Sequence, residues 1–239
     1  MKRIFFLAVL GMFGLACRKS NNISPNNNNN NTPTIPSSVL IDGNSYPVVK
    51  IGSQLWTSVN YNGTGGVNYN DSANIANYGK LYSYDEAKAV VLPNGWRLPT
   101  ATDFETLMKA VGTTSSNSDY LLIADTGGSK KLRSVNGWVL SNGTNKSGFN
   151  ALPAGKYYDF NIAGDSNYTG KGYSAGFWSA TASPDDIINN QHFKGQYILG
   201  MLNYTYSASY QFIPADITVI GTSYSSSNYK FSLRFVKDY

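Results

Sequence analysis

From about residue 126 onward the chain seldom runs far without a glycine, asparagine or serine, and tyrosines are threaded between them. Glycine loses the most backbone freedom in a helix, while serine and asparagine compete for its backbone hydrogen bonds. Such a stretch does not sustain long helices. Its aromatic residues favour short strands joined by turns, and GFWSAT, HFKGQYILGMLNY and YKFSLRFVKDY are the expected ones. A total of 23 glycines and 18 tyrosines, with only 14% charged residues, points the same way.

Upstream the patterning changes. SYPVVKIGSQLWTSVNY reads as strands over about 45–51 and 54–60, with Gly52-Ser53 as a two-residue hairpin turn. LYSYDEAKAVVLPNG predicts a short helix with Tyr84, Ala87, Ala89 and Val90–Val91 as its apolar side, ending before Pro93. PTATDFETLMKAVG predicts a second. Thr100 is its N-cap, Asp103 completes a capping box, and Phe104, Leu107, Met108 and Val111 form the buried stripe before Gly112 closes it. Another short helical piece is expected around 119–125. The sum is an α+β domain from about 39 to 239: two short helices, then an irregular antiparallel β region.

The first 38 residues have a different character. Lys2 and Arg3 precede an uncharged run from Ile4 to Ala16, 13 residues long. That is the pattern of a secretory signal and well short of the roughly 20 residues of a membrane-spanning helix. Gly11, Gly14 and Ala16 lead into Cys17, the only cysteine. Residues 1–16 resemble a bacterial lipoprotein signal, which makes Cys17 the expected lipidation site and the lipid bilayer a partner. The usual signal has Leu at −3, where this chain has Gly14, and a small residue at −2, where it has Leu15. Residues 17–38 carry six consecutive asparagines, Asn26 to Asn31, and three prolines, the composition of a disordered tether. A linker of this length reaches roughly 25 Å. The expected address is the cell envelope, at the outer membrane. No acidic run follows Cys17, which favours the periplasmic face over the cell surface.

The basic isoelectric point of about 9.1 does not mean nucleic acid. Lys2, Arg3, Arg18 and Lys19 precede the folded part and all 14 acids follow residue 39, so the domain is nearly neutral. No clustered basic surface is expected.

Catalytic chemistry finds few groups. His192 is the single histidine and no cysteine lies in the domain, so His-based metal clusters and Cys–His pairs are excluded. The paired acids are Asp85-Glu86 and Asp103/Glu105, both at helix starts where acids serve the helix dipole, and Asp185-Asp186. Asp185 and Asp186, with Asn189 or Asn190, are where Ca²⁺ would bind. Calcium takes six to eight oxygens, and no ordered ligand loop accompanies them, so no metal or other cofactor is expected. DSA at 71–73 matches a three-residue O-glycosylation pattern at Ser72. Tyr157, Tyr158, Tyr168, Tyr173, Tyr204, Tyr206, Tyr210 and Tyr224 lie among Asn, Ser and Gly in expected loops, a composition suited to recognition surfaces.

Six fragments in order, IGSQLWTSVNY, GKLYSYDEA, LPNGWRLPTATDFETL, GTNKSGFNALPAG, GFWSAT and SLRFVKDY, resemble the Fibrobacter succinogenes major paralogous domain, common in lipoproteins of Bacteroidetes and Fibrobacter. GWRLPT…DFETL and the tryptophan and arginine of the later fragments also resemble the C-type lectin-like group, which includes the formylglycine-generating-enzyme fold. That resemblance implies adjacent N- and C-terminal strands, with 45–51 near 230–236. It also implies that Trp96, Leu98 and Phe104 fill the joint at a helix start. Arg97 is expected to pair with Asp103 or Glu105 or to hold loop carbonyls. Gly148, Gly155 and Gly176 are expected in turns, and Trp178 and Arg234 in the β core. Relatives often have a cysteine where Phe235 stands, and the copper-binding cysteines of formylglycine-generating enzymes are lacking, which removes that activity.

The functional expectation is therefore a non-enzymatic domain that recognises a glycan or an envelope protein. The alternatives are a carbohydrate-active enzyme with two carboxylates about 5–10 Å apart, or a structural subunit of a surface assembly.

Overall fold

Val39 and Ile41 alternate with Ser38 and Leu40, and this two-residue period forms β1 (Ser38–Ile41), with the first pair buried and the second exposed. The computed structural model describes residues 34–69, 78–113, 126–159, 167–183, 186–188, 191–193, 195–206, 212–223 and 229–239. Asp42 and Gly43 take φ of 49° and 73° and turn the chain into the antiparallel β2 (Asn44–Ile51). Gly52-Ser53 turns it again into β3 (Gln54–Thr57). Gly52 is needed twice over. Its φ is 60°, and a Cβ there would stand 2.9 Å from the Cβ of Ala110.

β3 is buried along its whole length, and its alternation feeds two cores. Trp56 joins Ile51, Phe104, Leu107 and Phe149 in one, whereas Leu55 joins Ile41, Tyr46 and Phe235 in the other.

Three helices occur among the described residues. α1 (Tyr84–Ala89) begins at Ser83, whose hydroxyl accepts from the Glu86 N–H while Glu86 accepts from the Ser83 N–H. α2 (Ala101–Ala110) has the expected Thr100–Asp103 capping box and buries Phe104, Leu107, Met108 and Val111. α3 (Thr126–Leu132) is an addition to the two helices expected, and the piece expected at 119–125 lies outside the described residues. Gly127 and Gly128 hide α3 from propensity. At Gly128 the missing side chain lets the helix pack onto Thr113, whose hydroxyl occupies the space a Cβ would need.

The remaining strands are short, except for three. β4 (Lys156–Tyr158) and β5 (Tyr168–Thr169) precede β6 (Ser174–Ala182); β7 (Asp186–Ile188) and β8 (Gln191–Phe193) form a hairpin; β9 (Gln196–Tyr206) and β10 (Phe212–Ser223) are long. β11 (Tyr229–Lys230) and β12 (Val236–Asp238) end the chain. The sheets run β1-β2-β3-β12, β10-β9-β6 and β11-β4-β5, all with antiparallel neighbours. Like β3, β6 feeds both cores, Phe177 to one and Trp178 to the other.

Two expectations need correcting. YKFSLRFVKDY is split into β11 and β12, because residues 231–235 leave sheet pairing to bury Leu233, Arg234 and Phe235 and to bridge Tyr82 and Phe177. The terminal strands do share a sheet, but β12 pairs with β3 and not with the 45–51 strand. The Gly52-Ser53 hairpin places β3 between them.

Buried polar joints fasten these parts. Asp103 accepts from both terminal guanidinium nitrogens of Arg97, from Gln54 Nε2 at 2.8 Å and from the Thr100 N–H at 2.7 Å. Arg97 also reaches Asp238 at 2.8 Å. Burial raises the Asp103 carboxyl, and the bonds from Arg97 and Thr100 outweigh it and hold the group below its ordinary value. Arg234 is 0% exposed. It donates to Asn60 Oδ1 at 2.8 Å and to the carbonyls of Thr57, Phe149 and Asn150 at 2.8, 2.7 and 2.9 Å. Trp178 donates its indole N–H to the Tyr82 carbonyl at 2.6 Å. Gly148 and Gly155 take positive φ as expected, whereas Gly176 lies inside β6, where its bare backbone admits the Phe231 ring.

Candidate binding cleft

Side chains alternate along β4, so Lys156 and Tyr158 share one face and Tyr157 takes the other. Register supplies their neighbours: Thr169 stands opposite Lys156, and Tyr229 opposite Tyr158. These four residues line a cleft of about 370 Å³. That lies within the roughly 300–1,000 Å³ of small-ligand sites.

β6 and β9 supply most of the rest of the lining, with Gly155, Gly170 and Phe231. Their register sets Ser174 opposite Leu202 and Gly176 opposite Gly200. Phe231 packs on Gly176, Gly200 lines the cleft opposite Gly176, and Ile198 and Leu202 give it an apolar flank.

The electrostatics are set by Lys156. Its ammonium lies 5.4 Å from the centroid of the Tyr229 ring, a cation–π distance. It makes no hydrogen bond or ion pair with any described residue. Burial alone pushes its pKa below the ordinary 10.5. Burial, with the nearby Tyr158, pushes the Tyr229 phenol up. No carboxylate of a described residue lines the cleft.

The other face of the small sheet is aromatic and basic as well. Tyr157 and Tyr168 meet edge to face at 4.9 Å, and Tyr69 lies 5.1 Å from Tyr168. Lys171 sits 5.3 Å from the Tyr69 ring and 5.2 Å from the Tyr78 ring. Lys230 is anchored to Glu86 at 3.1 Å. Burial raises Glu86, and hydrogen bonds from Ser83, Gly66 and Lys230 outweigh it and bring its pKa down to about 2.

The residues singled out in the sequence fare differently. Cys17, Ser72 and Asp185 lie outside the described residues, as do Tyr210 and Tyr224. Asp186 is in β7 opposite Phe193, and His192 is in β8 opposite Ile187. No group of three metal-ligating side chains comes together among the described residues. Tyr157, Tyr158, Tyr168, Tyr204 and Tyr206 belong to strands and not to loops, because their aromatic rings suit the pleated surface. Lys156, Tyr229 and Gly200 were not singled out. The KYY alternation points to the first, but only the β11–β4 pairing reveals the second.

The profile of the Fibrobacter succinogenes major domain family matches residues 49–237. The chain belongs to that family. The match takes in every cleft residue named above, the Arg97–Asp103 pair and Arg234, and leaves out β1 and the start of β2. No curated protein and no solved structure matches the chain. For this Fibrobacter succinogenes major domain, the assignment of a site therefore rests on the cleft itself.

Proposed function

We propose that the protein is a lipoprotein, anchored through Cys17 to the cell envelope at the outer membrane, whose C-type lectin-like domain binds a glycan or protein ligand without catalysis. The observation that carries this reading is the cleft. Tyrosines from β4 and β11, a lysine and the hydroxyls of Thr169 and Ser174 converge there on a depression flanked by apolar side chains. Aromatic rings with adaptable polar neighbours make recognition surfaces at low entropic cost, and a sugar presents them with both a C–H face and hydroxyls.

A glycosidase would place two carboxylates across such a space. Four of the described acids are used elsewhere, Glu86 and Asp103 in helix caps, Asp85 on Lys88 and Asp238 on Arg97, and none of the described acids lines the cleft. That supports recognition over hydrolysis. The test is a broad glycan array probed with the purified full chain, with calcium and with chelator. Saturable binding to one glycan class is the expected result, and loss of it in chelator would implicate Asp185 and Asp186. Silence in both buffers would defeat the glycan reading, and released reducing ends would replace recognition by catalysis.

A further inference from the structure

The lysines and arginines of this domain are mostly engaged. Lys88 pairs with Asp85 at 2.8 Å, Lys230 with Glu86 at 3.1 Å, and Arg97 with Asp103 and Asp238. Lys80 donates to the carbonyls of Gly63 and Gly65, both at 3.0 Å, and Lys131 to that of Val111 at 2.7 Å. Lys156 differs from these in lining the cleft beside an aromatic ring. It is half-buried at the cleft, its ammonium lies 5.4 Å from the centroid of the Tyr229 ring, and strand register sets it opposite Thr169. Partly desolvating a cation without an anion costs free energy, and a bound anion that completes the pair recovers it.

The surroundings limit what that anion is. A phosphate dianion calls for several donors, such as an arginine fork or a set of backbone N–H groups, and the cleft offers one ammonium. Leu202 and Ile198 flank it with apolar surface, Tyr158 offers a ring face, Thr169 offers a hydroxyl, and Ser174 Oγ, which donates to the Gly170 carbonyl at 3.2 Å, offers an acceptor. A flat ring with one apolar face, several hydroxyls and one charge meets all of these. An acidic peptide brings the charge but leaves the aromatic and hydroxyl lining without a use.

Resting on the recognition reading above, we propose that the cleft takes a sugar residue bearing a single negative charge, a uronate carboxylate or a sulfate ester. The anion is received by Lys156 Nζ, and the apolar ring face lies against Tyr158, Ile198 and Leu202.

The experiment is calorimetric titration of the full chain with four probes: an oligogalacturonate, its neutral methyl ester, a sulfated galactose oligosaccharide and a glutamate-rich peptide. Binding of either anionic saccharide is expected, with the methyl ester at least about tenfold weaker. Lys156→Met should weaken the anionic saccharide by about 10- to 100-fold, while Lys156→Arg keeps most of the affinity. Thermal unfolding of both variants shows that they are folded. Whichever anionic probe binds names the charged group. Saccharide binding that ignores charge and survives Lys156→Met overturns this inference and leaves glycan recognition standing. Binding of the peptide alone overturns it in favour of a protein ligand. Silence toward all four probes by a folded chain overturns it outright.

Discussion

Arg234 is fully buried and Lys156 half-buried, and the protein treats the two cations in opposite ways. At the joint between β3, the turn at 149–150 and the chain before β12, Arg234 finds four acceptors, and the rings of Phe149 and Phe177 lie 4.8 and 5.5 Å from its guanidinium. At the cleft, Lys156 finds one ring and no acceptor among the described residues. A buried cation surrounded by its own chain's carbonyls fixes the fold. One left without them costs stability and stays available to something else. Burial and hydrogen-bonding together separate the scaffold cation Arg234 from the cleft cation Lys156.

The largest test of that contrast removes the scaffold cation. Arg234→Met leaves Asn60 and three carbonyls buried without a donor, and should cost about 3–5 kcal/mol in urea unfolding. A loss below about 1 kcal/mol would mean that water takes over the bonds and that the joint is not what holds the strands.

A second test uses acid. Glu86 and Asp103 have folded pKa values below their ordinary ones, so the stability they bring is present above those values and drains away as the pH falls through the folded ones. For Glu86 the window runs from the ordinary 4.5 down to about 2. Unfolding temperature measured across that range should drop steadily, and Glu86→Gln should flatten part of the slope. An unchanged slope would show that the Ser83–Glu86–Lys230 link contributes nothing.

The smallest effect has the opposite sign. Lys156→Met removes a cation that has no ion-pair partner in the described protein, and should raise stability by up to about 1 kcal/mol while weakening anion binding about 10- to 100-fold. A destabilised variant would place Lys156 with Arg234 as scaffold, and the contrast would collapse.

The sequence announces some of this and conceals the rest for identifiable reasons. α2 is legible because cap, stripe and closing glycine agree within a dozen residues. β2 and β3 are legible because Gly52-Ser53 separates two β-rich runs. α3 is concealed because Gly127-Gly128 lowers helix propensity, and only its contact with Thr113 explains the choice. β1 is concealed because it follows directly on a polar segment and has four residues. Tyr157 and Tyr158 stand out by composition. The pairing of Tyr158 with Tyr229, which makes a wall of the cleft, joins parts of the chain that no local pattern connects. The lone status of Lys156 cannot be read from a string at all, since it consists of what the folded chain fails to supply.

The joint around Arg234 also governs when this domain folds. Its hydrogen bonds link residues separated by 174, 177 and 178 positions. Local turns and helices form quickly, but contacts this distant in sequence come late, after a long loop has closed. The amides of β3 should therefore exchange with solvent until the segment from Arg234 to Asp238 docks, then become protected in one step. Cutting off that segment would yield no smaller domain, only a chain waiting for its missing clasp.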